Sequence, residues 1–360
     1  MRKLNIYHRK DNRWEGRIPR GKLENGKRKF QYVLGRTKEA VEQEMTRIYE
    51  KEHQESHCSK TISELFQEWY SSILYRVKES TAANYMMKAT RHILPMFGDK
   101  QADLLVQGDI YHFISEKQKE GLSNRYITDI IILMKSLFKY AVRTYHITNP
   151  LEGIIMPKKK KTEIQLLDEA EQNILQQYIA ENQNKTTLGI ALSMSTGIRI
   201  GELCALQWKD IDLEKRILTV RKTIQRIQCP TTTARTKLTI TEPKSESSKR
   251  NIPIPECVAD FLRKFKGNAG EYVLSGSEKP TEPRTMQYRF AKILKNVNLP
   301  SVHFHALRHI FASTCVKLGF DVKALSELLG HSSVEITLNR YVHSDFEQKR
   351  EYMKLLKLNF

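Results

Sequence analysis

Ser195-Thr196-Gly197-Ile198-Arg199-Ile200-Gly201-Glu202-Leu203 sets an arginine in a glycine-flanked turn that leads into a helix. The glycines let the backbone bend and approach a ligand closely, while Arg199 offers a planar fork of donors that matches phosphate oxygens. The helix start beside it adds an anion-favouring dipole. Two readings of Arg199 stand on this stretch alone: a phosphate ligand, or a structural cation paired with a carboxylate such as Glu202 or Asp210.

Three segments downstream bear on that choice. In Glu242-Pro243-Lys244-Ser245, followed by Arg250-Asn251-Ile252-Pro253, the stretch from Thr239 to Arg250 predicts a hairpin with Lys244 near its tip. There a lysine is either a solvated loop charge or a proton donor able to reach a leaving oxygen. His305-Ala306-Leu307-Arg308-His309 opens a helix whose apolar stripe includes Phe311, Ala312, Val316 and Leu318, and helical spacing places His305, Arg308 and His309 at neighbouring positions. In Leu328-Leu329-Gly330-His331-Ser332, Gly330 ends a helix and His331 occupies the next turn; Tyr341 follows in Asn339-Arg340-Tyr341-Val342-His343.

Other chemistries lack their residues. His303, His305 and His309 suggest zinc, but HExxH is missing, Arg308 would repel a dication and no acidic third ligand is evident. The chain has no GxSxG elbow, no Walker P-loop and no GxGxxG fingerprint. Two arginines, a lysine, histidines and a tyrosine, without a carboxylate pair or nucleotide site, suit an anionic pentacovalent phosphate attacked by an activated phenol.

The rest of the chain supplies a setting for such chemistry. Its 360 residues exceed what one core usually serves, and 40% hydrophobic with 28% charged residues predicts a soluble globular protein. A formal net charge of +19 points to a polyanion, nucleic acid before an anionic membrane surface. No apolar run reaches the ~18 residues of a membrane-spanning helix, and Met1-Arg2-Lys3-Leu4-Asn5 lacks the apolar stretch of a secretory signal. Cys58, Cys204, Cys229, Cys257 and Cys315 form no CxxC pair and read as reduced thiols of a cytoplasmic protein.

Residues 1–38 read as strands and turns carrying 13 lysines and arginines against Asp11, Glu15 and Glu24, and a helical pattern runs from Thr37 to about Glu55. A small basic sheet of this kind either lies in a DNA groove or stays solvated. Between 60 and 155 the pattern is helical throughout. The capping box Thr61-Ile62-Ser63-Glu64 opens the first helix, the second runs from Ser80 to Met96, the third follows Asp109 and the fourth runs from Ser123 to Tyr145, making a compact bundle. Lys158-Lys159-Lys160-Lys161 reads as a linker. The remainder is helical around a strand-rich insert from Ile217 to Ile254.

Taken in order, Arg199, Lys244, His305, Arg308, His331 and Tyr341, in the contexts TGIRIGEL, HALRH, LLGHSS and RYVH, resemble the active-site pattern of the tyrosine recombinases, and among these the integrases of temperate phages and conjugative transposons. Ser245 departs from a threonine common after the lysine. The resemblance implies a multidomain, mainly α fold. Residues 1–56 would be a small α+β arm-type DNA-binding domain of three strands and a helix, 60–156 an all-α core-binding bundle, and 163–360 an α+β, mainly helical catalytic domain.

It also implies a mechanism. Tyr341 attacks a phosphodiester to form a 3′-phosphotyrosine and release a 5′-hydroxyl. Arg199 and Arg308 hold the non-bridging oxygens, Lys244 protonates the leaving oxygen, His305 accepts the tyrosine proton and His331 donates to or orients the phosphate, with Glu202 and His309 in support. No cofactor, metal or nucleotide is needed, because bond energy is kept in the phosphotyrosine. The implied partners are double-stranded DNA at core and arm sites, a homotetramer on DNA, DNA-bending accessory proteins and an excisionase. The apolar end, Tyr352 to Phe360, packs either onto an adjacent protomer or onto its own domain. A type IB topoisomerase, a chromosome-dimer-resolving recombinase and a non-catalytic DNA-binding regulator are the competing readings.

Overall fold

The computed structural model describes residues 5–22, 28–55, 60–158, 165–228, 236–242, 248–341, 350 and 353–354. The chain divides into two compact units, Met1–Lys160 and Lys161–Phe360.

The first unit opens with β1 (Ile6–His8), β2 (Trp14–Lys22) and β3 (Arg28–Gly35), an antiparallel sheet in that order, and α1 (Lys38–Glu55). Alternation along β2 separates two faces. Ile18, with Val33 of β3, packs against Val41 and Met45 of α1. Gly16 lies under the helix so tightly that a Cβ there would stand 2.1 Å from the Met45 sulfur. The opposite face carries charge: Arg17 lies 4.5 Å from the Tyr7 ring centroid, and buried Glu15 receives Arg9 and Arg17. Between β1 and β2 the chain turns at Asp11-Asn12, with Asn12 at φ 61°.

The same unit continues as a helical bundle: α2 (Ile62–Ile73), α3 (Glu79–Lys88), α4 (Leu94–Phe97), α5 (Gln107–Lys119) and α6 (Asn124–Tyr145). Thr61 caps α2 as a reciprocal box, its hydroxyl accepting from the Glu64 N–H at 3.2 Å while the Glu64 carboxylate accepts from the Thr61 N–H at 2.8 Å. The helix expected from Ser80 to Met96 is interrupted by a π-turn at Ala89–Ile93. Pro95 explains it: proline has no N–H and its ring clashes with the carbonyl four residues earlier, which the wider turn relieves. Asp109 lies inside α5 rather than ahead of it, and its carboxylate accepts the Val106 N–H at 2.9 Å. Ile127, Ile130, Ile131, Met134, Leu137 and Phe138 of α6 form the spine of the core.

The second unit comprises α7 (Glu169–Glu181), α8 (Lys185–Thr196), α9 (Ile200–Cys204), β4 (Ile211–Asp212), β5 (Ile217–Val220), β6 (Thr223–Gln228), β7 (Thr236–Thr241), β8 (Arg250–Pro253), α10 (Glu256–Arg263), α11 (Pro283–Asn296), α12 (Ala306–Lys317), α13 (Val322–Leu329) and α14 (Val334–Tyr341). Buried α8 packs against α7, α9, α10, α11 and α12. The strands form two sheets, β4-β5-β8 and β6-β7. Thr239–Arg250 is therefore no hairpin: β7 pairs with β6 and β8 with β5. Both pairings share one local pattern, and long-range register decides between them. Leu318 also leaves its expected stripe; it lies beyond the end of α12 and is exposed, while Cys315 takes the inward position. Among the described residues, no helix is long and apolar enough to cross a membrane.

Phe138 is 0% exposed, so Phe138→Ala should leave a cavity in the bundle and destabilise it by about 3–5 kcal/mol. Urea denaturation followed by tryptophan fluorescence measures this, and an unchanged midpoint would contradict the packing described.

Candidate active site

The turn that carries Arg199 is built by glycine. α8 stops at Gly197, whose φ of 62° is left-handed, and its N–H donates to the Ser193 carbonyl at 3.1 Å. A Cβ at Gly197 would also stand 2.5 Å from Phe311. Arg199 then caps α9 in extended conformation. Its backbone N–H donates to one oxygen of Glu202 at 3.1 Å and its guanidinium to the other at 2.8 Å. Gly201 lets α9 approach β6, where a Cβ would meet Thr223 Oγ1 at 2.6 Å.

Three guanidiniums converge on the last carbonyls of α13. Arg250 Nε donates to Leu328 O at 2.6 Å, Arg308 Nη2 to Leu329 O at 2.5 Å and Arg199 Nη2 to Gly330 O at 2.9 Å. Carbonyls at a helix C-terminus lack intrahelical partners and carry the negative end of the helix dipole, so cations are favoured there. Each arginine also ties another element to this end. Arg308 Nη1 donates to Gly197 O at 2.7 Å, joining α12 to the turn before Arg199. Arg250 donates through Nη2 to Glu202 at 2.9 Å and through Nη1 to Ser248 O at 3.1 Å.

Charge is balanced locally. Glu202 is 4% exposed, and burial pushes its carboxyl upward; the Arg250 and Arg199 guanidiniums outweigh burial and hold it below the usual carboxylate range. Openness differs among the three cations: Arg308 is 2% exposed, and the side chains of Arg250 and Arg199 are 6% and 34% exposed. Arg199 is thus the guanidinium that solvent reaches most readily.

The histidines flank this cluster. His305 immediately precedes α12 and is exposed, and its ring meets that of buried His309 edge-on with centroids 5.0 Å apart. His331 follows Gly330, whose φ of 62° ends α13; its N–H donates to Ser326 O at 3.0 Å, and its Nδ1 lies 2.8 Å from Thr337 Oγ1. Tyr341 is the last residue of α14, a helix packed on α12 and α13. Arg199, Arg308 and the turn bearing His331 therefore meet at one helix end, with His305 one turn before Arg308 and Tyr341 on an adjoining helix. Lys244 lies outside the described residues, as does the apolar end from Tyr352 to Phe360 apart from Met353 and Lys354.

Arg199 pairs with Glu202, one of the two carboxylates the structural reading named, and its side chain stays 34% exposed; Asp210 instead pairs with Arg221 at 3.6 Å. Sequence reasoning gave no role to Arg250 or Thr337. A clue to Arg250 was present: strand alternation puts it on the same face as Ile252, which is buried.

Residues 160–348 match the model of the phage integrase family, and residues 61–118 match a phage integrase N-terminal SAM-like domain. The tyrosine recombinase XerC-like protein of Caldanaerobacter subterraneus subsp. tengcongensis is 27% identical, covering 93% of each chain. The integrase of Staphylococcus phage L54a is 30% identical over 62% of this chain and 72% of its own. Among solved structures, the Tn1549 transposon integrase in complex with circular intermediate DNA aligns with a TM-score of 0.66 and 26% identity over 82% of this chain and 99% of that one.

Glu202 yields a pH prediction. A carboxyl whose native pKa is depressed stabilises the folded state above its unfolded pKa and loses that contribution as pH falls through the native value. The stability difference between wild type and Glu202→Gln should therefore be full at neutral pH. It should narrow below the ordinary carboxylate range and vanish beneath the depressed native pKa. Urea midpoints over an acid series check this; a pH-independent difference would contradict it.

Proposed function

The chain belongs to the phage integrase family, and from that membership we propose that it is a site-specific recombinase that cuts and rejoins DNA through Tyr341, integrating or excising a mobile element. The observation that carries this reading is the convergence of Arg199, Arg308 and the His331 turn on the end of α13, one helix away from Tyr341.

Charge governs the first half-reaction. A phenol titrates near ~10, so Tyr341 must lose its proton as it attacks phosphorus, and His305 accepts it. The developing pentacovalent phosphate carries extra negative charge on its non-bridging oxygens, which Arg199, Arg308 and His331 stabilise by donating to them. The bond to the 5′-oxygen breaks, Lys244 supplies the proton that oxygen takes, and a 3′-phosphotyrosine remains. A 5′-hydroxyl from another strand then attacks the phosphotyrosine; its proton goes to Lys244, the bond from phosphorus to the Tyr341 oxygen breaks, and His305 returns its proton to that oxygen. One phosphodiester has been exchanged for another, so the cycle balances without cofactor, metal or nucleotide.

Binding follows from the same reading. A net charge of +19 suits a long phosphate backbone. Residues 1–56 present Arg9 and Arg17 on one sheet face and serve as the arm-type module; residues 60–156 hold core DNA, and 163–360 do the chemistry. Exchange between two duplexes cuts four strands, one tyrosine each, so the working assembly is a homotetramer on DNA, aided by bending proteins and an excisionase in the cytoplasm.

A nicked suicide substrate, which traps the covalent complex because the released piece diffuses away, tests the nucleophile. The wild-type chain should give a protein–DNA adduct mapping to Tyr341, while Tyr341→Phe should give none and still shift DNA in a gel; adduct from the Phe variant would overturn the assignment. For Lys244→Ala, adduct formation should fall by on the order of 10²–10⁴-fold. A substrate with sulfur at the 5′ bridging position should restore it, since a thiolate leaves without a proton. No recovery would remove Lys244 from the proton-donor role.

A further inference from the structure

Building on the recombinase reading above, we propose that Thr337 is a positioning residue for strand cleavage: its hydroxyl fixes the His331 ring and couples that ring to the helix bearing Tyr341. His331 occupies the turn between α13 and α14, held through its backbone by the 3.0 Å bond to Ser326 O. That bond fixes the chain but does not by itself orient the imidazole. A side-chain contact that constrains the ring is Nδ1 to Thr337 Oγ1, at 2.8 Å.

Thr337 suits this task. It is 0% exposed, so its hydroxyl requires a partner within the protein. A β-branched side chain in a helix has few rotamers, which confines the oxygen to a small set of positions. The two imidazole nitrogens are not equivalent, and a hydrogen bond at one determines what the other presents. With Nδ1 facing Thr337, any hydrogen bond from this ring to a phosphoryl oxygen runs through Nε2.

Thr337 also stands one helical turn before Tyr341 in α14. A helix of 8 residues has little stability of its own, so tertiary contacts set its orientation. The His331–Thr337 contact is one of these, and it links the helix of the nucleophile to the turn that begins at the Arg199 and Arg308 carbonyl anchors. Thr337 touches no reacting atom; its effect passes through His331.

The test measures single-turnover adduct formation on the nicked substrate for Thr337→Val and Thr337→Ser, in the wild-type and His331→Ala backgrounds. Melting temperature and DNA binding are followed alongside. Val removes the hydroxyl and Ser keeps it. Thr337→Val should slow cleavage on the order of tenfold with DNA binding unchanged, Ser should stay within about twofold of wild type, and Val should add nothing once His331 is alanine. A role in packing alone predicts the reverse order, Ser being no better than Val, and that ranking decides the matter even where the alanine background is too slow to follow. Wild-type rates for Thr337→Val, or equal slowing by Val in both backgrounds, would overturn the assignment. If the wild-type chain itself formed no adduct, the recombinase reading would fail instead, so the two failures are distinguishable.

Discussion

Three arginines from three separate stretches terminate one short helix, and the arrangement of the second unit around its chemistry follows from that contact. Leu328, Leu329 and Gly330 present carbonyls that α13 cannot satisfy internally, and Arg250, Arg308 and Arg199 satisfy one each. A buried guanidinium without acceptors is strongly unfavourable, and so is a buried carbonyl without a donor. Each cancels the other's desolvation, so the elements bearing these groups are located relative to one another by hydrogen bonds rather than by non-directional packing.

Glu202 makes the concentration of positive charge tolerable. It accepts from Arg199 and Arg250 together, and capping its own short helix through the Arg199 N–H holds its carboxylate in place. The three cations are thereby graded. Arg250 lies buried between Glu202 and two carbonyls and serves the scaffold. Arg308 anchors to Gly197 and Leu329 from within the core. Arg199 has two anchors, Glu202 and Gly330, and a side chain that is 34% exposed. A guanidinium has five N–H donors, so anchoring one edge to the protein is compatible with offering another to an anion. Preorganised donors of this kind need not reorganise as charge develops on a phosphate.

How far the sequence foretells this depends on the range of each interaction. The Thr61–Glu64 capping box and the extent of α6 were legible because their determinants lie within a turn or two of one another. The glycine turn at 197 and the helix stop at 330 were legible because left-handed backbone favours one residue type. The Thr239–Arg250 hairpin was misread because β7 and β8 look alike whichever neighbour they pair with. Arg250 gained no role because its acceptor, Leu328, is 78 residues away, and nothing local marks one arginine among 60 lysines and arginines. The positions of Arg199, Lys244, His305, Arg308, His331 and Tyr341 came from order and context; anchoring of the two arginines by backbone carbonyls is a feature that only the folded chain displays.

That anchoring has a consequence for how the site tolerates change. Residues that donate to backbone carbonyls depend on the position of the chain rather than on the identity of the side chains at 328 and 329, so those side chains are free to serve packing. Leu329 does so, buried with Phe311, Ala312, Cys315 and Leu325 in a small cluster between α12 and α13. The cluster and the guanidiniums act on the same two helices by different physics: apolar contact draws α12 and α13 together without fixing their register, and the Arg308 bonds to Leu329 and Gly197 fix it. Loosening the cluster would change how often the site is assembled, whereas removing a guanidinium would change where the elements sit when assembled. Residues whose bonds terminate on the end of α13 therefore govern the geometry of this part of the unit even where their side chains are buried away from solvent.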